Sequence, residues 1–157
     1  MSTYSARLAD SGDLEQILTI ENRAYPEPWS SDHFIAEFER KYARVYVLTD
    51  DETDSLVLGY IVYWLQTEGA SLLNVCVDPK WRGLGMGQKL MQLMIRDVVH
   101  EEIPRTILEV RESNKNAIAM YEKMGFKKTH ERPKFYKNGE TAFVMEIQTS
   151  DIQTLIQ

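Results

Sequence analysis

The chain has 157 residues, of which 43% are hydrophobic and 27% charged, and its formal net charge is −6. This length suits one domain with a core of its own, and the acidic balance argues against nucleic acid as a partner. The single cysteine, Cys76, excludes an intrachain disulfide. The longest apolar run, Val57 to Leu65, is too short to span a bilayer. Because the N-terminus lacks a signal-peptide pattern, we expect a cytoplasmic protein that binds no membrane.

The first half of the chain predicts a strand, two helices and three antiparallel strands. The first strand is expected at Tyr4 to Ala9, and Asp10 or Ser11 is expected to cap the helix after it. Pro26-Glu27-Pro28 ends that helix, and Ser30 is expected to cap the next one. Three strands joined by polar turns follow, at Arg44 to Thr49, Leu56 to Gln66 and Ala70 to Val77.

The most informative stretch runs from Val75 to Leu90. Its strand character stops at Asp78-Pro79, three glycines alternate with other residues, and a helical apolar pattern begins after Gly87. A tight turn at a helix start leaves backbone N–H groups unpaired, where the helix dipole also favours negative charge. The pattern therefore predicts a phosphate-bearing ligand at Arg82 to Gln88. The alternative is a glycine-rich connection that binds nothing.

The second half predicts a strand, a helix and a hairpin. A right-handed crossover is expected to place a strand at Thr106 to Arg111 parallel to the preceding one. Ser113 or Asn114 is expected to cap the next helix. Two strands follow, around Lys127–Tyr136 and Thr141–Gln148, with a turn at Asn138-Gly139. The last residues, with Ile152, Leu155 and Ile156, predict one helical turn. The fold class is α/β, a single mixed sheet.

Three segments, together with Arg82-x-x-Gly85-x-Gly87, resemble a known family. They are Ile20-Glu21-Asn22-Arg23-Ala24-Tyr25 with Pro28-Trp29-Ser30, Leu108 to Phe126, and Phe135 to Ala142. The chain is similar to the GNAT superfamily of N-acetyltransferases, and within it to bacterial ribosomal-protein alanine N-acetyltransferases (the RimI family) and related protein N-terminal acetyltransferases. Phe135 stands where a Tyr is frequent, and Thr141 where an Asp is frequent.

The resemblance implies a GNAT-like fold, with a mostly antiparallel sheet of about seven strands flanked by about four helices. It implies an N-acetyltransferase domain at residues 1–148, a C-terminal tail at 149–157, and acetyl-CoA as the acetyl donor, without a metal. The cofactor-binding residues would be Val75, Cys76 and Val77 for the pantetheine arm, Arg82, Gly83, Leu84, Gly85, Met86, Gly87 and Gln88 for the pyrophosphate, and Asn114. Cys76 is expected to be a small buried residue, not a nucleophile.

The resemblance implies catalytic roles for two residues, Glu109 as general base and Tyr121 as general acid that protonates the leaving thiolate. Each has a plain structural alternative. Glu109 could lie on a solvated strand face, with Ile107 inward, Leu108 outward and a bulge disturbing the alternation. Tyr121 lies on the apolar face of its predicted helix, so core packing also explains it.

The expected acceptor is the α-amine at the N-terminus of a protein or peptide, with Trp29 and Tyr136 as substrate-binding residues. An α-amine has a pKa near 8 and a lysine a pKa of about 10.4, so roughly a tenth of α-amines are neutral at pH 7, against a few lysines in ten thousand. A carboxylate acting through water is thus a plausible base for an α-amine. The alternatives are a small-molecule amine acetyltransferase and a non-catalytic acetyl-CoA-binding module. We expect a monomer or weak dimer.

Overall fold

The computed structural model describes residues 3–53 and 55–155, which contain seven strands and five α-helices. The strands are β1 (Tyr4–Leu8), β2 (Ala43–Asp50), β3 (Val57–Gln66), β4 (Gly69–Val77), β5 (Arg105–Arg111), β6 (Lys127–Arg132) and β7 (Ala142–Gln148). The helices are α1 (Leu14–Ala24), α2 (Ser31–Glu39), α3 (Met86–His100), α4 (Lys115–Lys123) and α5 (Thr149–Leu155). The strands form one sheet in the order β1-β2-β3-β4-β5-β7-β6. The predicted strand-rich α/β fold is confirmed.

The first of two compact units comprises Met1–Trp64 and Asn74–Met94. In it β1 pairs antiparallel with β2, and β2 pairs antiparallel with β3. Helix α1 begins after a short 3₁₀ turn, Ser11–Asp13, which Asp10 caps by accepting from Gly12 N, so the predicted cap residue serves this turn and not α1 itself. The most deeply buried side chains of the unit come from both helices and strands; they include Ile17, Phe34, Tyr60, Ile61 and Leu90.

The second unit comprises Leu65–Leu73 and Ile95–Gln157. The start of β4 pairs in parallel with β5, at Ala70–Thr106 and Ser71–Ile107, as the crossover predicted. Strand β5 then pairs antiparallel with β7 along its whole length, and β7 pairs antiparallel with β6. Leu108 and Val110 of β5 point into the core, with exposed fractions of 1% and 5%.

The hairpin differs from the prediction because β6 ends at Arg132, so Tyr136 lies outside the strand. Pro133 has no N–H to continue the ladder, and Lys134 takes a φ of 55°. The connection closes through a turn in which Gly139 N donates to Tyr136 O at 2.9 Å. The turn lies where Asn138-Gly139 predicted it, but the tyrosine belongs to a loop.

The C-terminal segment forms the helix α5, longer than the single turn predicted. Thr149 N donates to Pro104 O at 2.9 Å, and Ile152 is 2% exposed. Burial of Ile152 explains why a short helix persists here. Ile156 lies outside the described residues. None of the helices described is long and apolar enough to cross a membrane.

Candidate active site

The glycine-rich segment, residues 82–88, joins the 3₁₀ turn Pro79–Trp81 to α3. Gly83 and Gly85 have φ angles of 82° and 78°, in the left-handed region that favours glycine. A Cβ atom built on either glycine meets no atom within 4 Å, so the backbone there is open. Such a backbone can approach a ligand closely.

The start of α3 presents backbone donors. Lys89 N donates to Gly85 O at 3.1 Å. Among the residues that the structure describes, the N–H groups of Met86, Gly87 and Gln88 have no hydrogen-bond partner. Met86 is only 4% exposed as a residue, whereas Gly87 is half-buried and Gln88 is exposed, so the N–H groups of Gly87 and Gln88 lie nearer the surface. Unpaired donors at the positive end of a helix dipole suit the oxygens of a pyrophosphate.

The end of β4 has an edge turned away from β3. Asp78 N donates to Leu58 O at 2.8 Å, so the backbone N–H of residue 78 points toward β3. Because the backbone groups of successive residues in a strand point to opposite sides, those of Val77 and Val75 point away from β3. The Tyr25 hydroxyl donates to Val75 O at 2.7 Å, and Arg82 Nε donates to Val77 O at 3.4 Å. The sequence did not predict that both carbonyls accept from side chains.

Cys76 lies in β4 between Val75 and Val77, and it is 5% exposed. Burial raises the pKa of its thiol, which keeps it protonated near neutral pH. A Cβ atom on Gly59 would lie 2.8 Å from Cys76 O, so a glycine is needed where the two strands meet. These features support the prediction of a packing role for Cys76.

Glu109 is on the exposed face of β5. The strand alternates regularly, with Thr106, Leu108 and Val110 inward, and its pairing with β7 has no bulge. In the structural alternative for Glu109, the inward Ile107 and the bulge are therefore wrong, whereas the exposed position of Glu109 is as that alternative described. Arg132 Nε lies 3.0 Å from Glu109 Oε2, and the two side chains are 53% and 35% exposed. The carboxylate is accessible, and it pairs with a cation that sequence reasoning did not identify.

Tyr121 is a buried residue of α4, 4% exposed, with its ring centre 5.9 Å from that of Phe126. Burial, with a smaller contribution from Tyr136, raises the pKa of its phenol. A phenol that stays protonated near neutral pH can act as a proton donor. Asn114 caps α4, and its Oδ1 atom accepts from Ala117 N at 3.3 Å, so this oxygen already serves the helix.

Tyr136 is half-buried in the β6–β7 connection, and Arg111 is among the residues that contact it. The guanidinium of Arg111 lies over the Tyr136 ring and also pairs with Glu140, whose second oxygen accepts from Ser113 N at 2.9 Å. The hydrogen bond from Ser113 is the largest cause that lowers the pKa of Glu140. The sequence placed Glu140 in a motif but did not indicate this ion pair.

Trp29 lies between α1 and α2, and its ring stacks on His33 at 3.7 Å and an angle of 11°. Its backbone N–H donates to Glu21, a buried residue that the sequence did not single out as a site residue.

The predicted site residues fall into two groups, one in each compact unit. The first unit contains Trp29, Val75 to Val77 and Arg82 to Gln88, and the second contains Glu109, Asn114, Tyr121 and Tyr136.

Comparisons with known proteins identify the family to which the chain belongs. Residues 14–126 match the model of the Acetyltransferase (GNAT) family. The chain is 30% identical over 141 residues to a putative [ribosomal protein bS18]-alanine N-acetyltransferase of Bacillus subtilis, covering 88% of this chain and 91% of the relative. It is also 30% identical over 153 residues to the [ribosomal protein bS18]-alanine N-acetyltransferase of Salmonella typhimurium, covering 96% and 99%.

A solved structure of an N-acetyltransferase has the same fold as this chain. The crystal structure of the ribosomal-protein-S18-alanine N-acetyltransferase from Escherichia coli superposes with a TM-score of 0.85 at 27% identity, and the match covers 94% of each chain. The family match spans most of the chain, and the relatives match nearly all of it. The chain therefore belongs to the acetyltransferase (GNAT) family.

Proposed function

We propose that the protein transfers the acetyl group of acetyl-CoA to the α-amine at the N-terminus of a protein. The observation that carries the proposal is a match over 96% of the chain to a relative named as an alanine N-acetyltransferase. A cofactor loop alone would match acetyltransferases of many kinds. A match over nearly the whole chain also includes the segments that contain Trp29 and Tyr136.

Acetyl-CoA fits the donors of the first unit. The open backbone of Gly83 and Gly85 and the unpaired N–H groups at the start of α3 suit its pyrophosphate. The backbone of Val75 and Val77 suits the amides of its pantetheine arm, as an added strand would. When bound, acetyl-CoA supplies an acetyl group activated as a thioester.

Glu109 accepts the proton that the α-amine loses, through water, as the amine nitrogen bonds to the acetyl carbon. Tyr121 donates its phenolic proton to the sulfur as the carbon–sulfur bond breaks. Transfer is direct, and no acetyl-enzyme forms, since the Cys76 thiol is buried and protonated. Arg132 keeps the Glu109 carboxylate in one orientation through its ion pair.

Trp29 and the Tyr136 hydroxyl contact the first residues of the acceptor peptide. An aromatic ring and a phenol suit a peptide backbone, which offers flat amides and hydrogen-bonding groups. A small first residue, such as Ala or Ser, is expected.

The test compares two forms of one peptide, one with a free N-terminus and no lysine, the other with a blocked N-terminus and a lysine. Mass spectrometry should show acetylation of the free N-terminus and little transfer to lysine. Faster acetylation of the blocked peptide, or of small amines such as polyamines, would overturn the acceptor class. Absence of CoA release with every amine would favour a binding module.

A further inference from the structure

Glu21 is a carboxylate inside the first unit, and only 1% of the residue is exposed. Its Oε1 atom accepts from the Tyr60 hydroxyl at 2.5 Å and from Asn74 Nδ2 at 2.9 Å. Its Oε2 atom accepts from Trp29 N at 2.9 Å. The three donors belong to β3, to β4 and to the connection between α1 and α2. One side chain therefore joins three separate segments.

No cation balances this charge among the residues that the structure describes. A buried carboxylate is costly unless charge partners or hydrogen bonds compensate it. Glu37, the other buried glutamate, has such a partner, because Arg40 Nε lies 2.7 Å from its Oε1 atom. Glu21 depends on neutral donors alone. Core packing would be served as well by an apolar side chain, so the carboxylate must be explained by what its hydrogen bonds fix.

The segment that depends most on Glu21 is the one that contains Trp29. Pro26 and Pro28 lack an N–H, so the connection has few backbone donors to hold it. The N–H of Trp29 is one of them, and it donates to Glu21. Asn74, in contrast, lies within β4 and is also held by the sheet. Loss of the carboxylate should therefore release Trp29 more than it disturbs β4.

We propose that Glu21 is a positioning residue for the acceptor: it fixes the Trp29 segment, and through it the surface that receives the peptide, without touching substrate. This inference rests on the proposed function, in which Trp29 contacts the peptide. The proposal predicts that loss of the Glu21 carboxylate affects one substrate and not the other. Removing the carboxylate weakens use of the peptide and spares use of acetyl-CoA, whose proposed ligands belong to β4, residues 82–88 and the start of α3.

Three variants test the proposal by steady-state kinetics with a peptide that begins with Ala. Glu21→Met fills a similar volume and accepts no hydrogen bond, whereas Glu21→Gln keeps one oxygen that can accept from Trp29 N. Glu37→Met is the matched control, since Glu37 is equally buried but contacts Arg40 and Trp64 instead. Glu21→Met should raise the peptide KM about tenfold. This is the effect expected when the hydrogen bond from Trp29 N to the charged carboxylate, the bond that fixes the acceptor segment, is lost. The acetyl-CoA KM should stay within about twofold of wild type.

Glu21→Gln should restore most of the peptide affinity, and Glu37→Met should leave the ratio of the two KM values unchanged. An unaltered peptide KM in folded Glu21→Met overturns the proposal. So does an equal rise of both KM values, because that would indicate general loss of structure.

Amide hydrogen exchange measured by NMR gives a readout independent of activity. The Trp29 amide should be protected in the wild-type protein and should exchange about tenfold faster in Glu21→Met, but not in Glu37→Met. Free exchange of this amide in the wild type overturns the proposal even if no variant folds. If the wild type fails to acetylate the peptide, the proposed function fails, while the exchange experiment still decides whether Glu21 fixes Trp29.

Discussion

The guanidinium carbon of Arg111 lies 3.8 Å from the centre of the Tyr136 ring, while its Nη1 atom lies 3.2 Å from Glu140 Oε1. The last residue of β5 thus holds an aromatic side chain of the β6–β7 connection. A planar guanidinium can stack on a ring and pair with a carboxylate at the same time, which an ammonium group cannot do equally well.

Replacing Arg111 by Lys should therefore raise the peptide KM by about fivefold, which corresponds to about 1 kcal/mol of lost cation–π and ion-pair geometry. Acetyl-CoA affinity, measured by calorimetry, should not change. Arg105→Lys is the control, since Arg105 begins the same strand and pairs with Glu146 at 3.5 Å without contacting Tyr136. Equal effects of the two substitutions would show that the Arg111 stack does not serve the acceptor.

Glu109→Gln should lower kcat by about a hundredfold or more, the size usual for loss of a general base. The substitution keeps the shape of the side chain and removes its capacity to accept a proton. Acetyl-CoA affinity should remain as in the wild type. Glu112→Gln, a change at an exposed acid just beyond β5, should leave kcat within about twofold. A Glu109→Gln enzyme with wild-type kcat would remove Glu109 from the mechanism.

The sequence predicted the fold well where the signals are local. Asp10 caps the 3₁₀ turn that leads into α1, and Ser30 caps α2, each by a contact within three residues that local capping chemistry identifies. The sequence failed at Ile107, because a half-exposed isoleucine is indistinguishable from a core residue when read along a short strand. It also failed at Glu21, whose donors lie 8, 39 and 53 residues away in the chain.

Gly85→Ala should weaken acetyl-CoA binding by about tenfold. A Cβ atom there meets no protein atom within 4 Å, so its steric effect would fall on a bound ligand. The φ of 78° adds about 1 kcal/mol of strain for an L-residue. Gly139→Ala controls for that strain, since Gly139 has a φ of 86° and is equally open. Calorimetry should show lost affinity only for Gly85→Ala. Similar Kd values for both variants would argue against a ligand at residues 82–88.

Asp13 should make the stability of the protein depend on pH in the acid range. Hydrogen bonds from the Arg7 guanidinium, at 2.8 Å to each oxygen, lower the pKa of the Asp13 carboxyl. A carboxyl with a lowered pKa in the folded state contributes stability that is fully present above its unfolded value, about 3.9. That stability is lost as pH falls through the folded value.

Asp13→Asn should therefore be less stable than the wild type at pH 7, and the difference should shrink as pH falls below about 4. Urea denaturation at pH 7, 5, 4 and 3 measures this difference. Arg7→Met should reproduce the pattern, because it removes the partner that lowers the pKa of Asp13. A difference between wild type and Asp13→Asn that stays constant across this range would mean that the ion pair does not determine it.

Two buried threonines should respond in opposite directions to substitution by valine. Thr106 is 0% exposed, and within the described part of the chain its hydroxyl has no hydrogen-bond partner. The hydroxyl of Thr149, which is 7% exposed, donates to Ile103 O. Valine has nearly the shape of threonine, so Thr106→Val removes an unsatisfied polar group and should raise the free energy of unfolding by about 1 kcal/mol. Thr149→Val leaves the carbonyl of Ile103 without its hydrogen-bond donor and should lower the free energy of unfolding by about the same amount.

Urea denaturation should show the midpoint shifted up for Thr106→Val and down for Thr149→Val, with the slope m unchanged in both. Because the slope reports the surface exposed on unfolding, a constant slope assigns each shift to stability. A lower midpoint for Thr106→Val would mean that its hydroxyl has a partner in solution, such as a buried water, and that this bond contributes to the stability of β5.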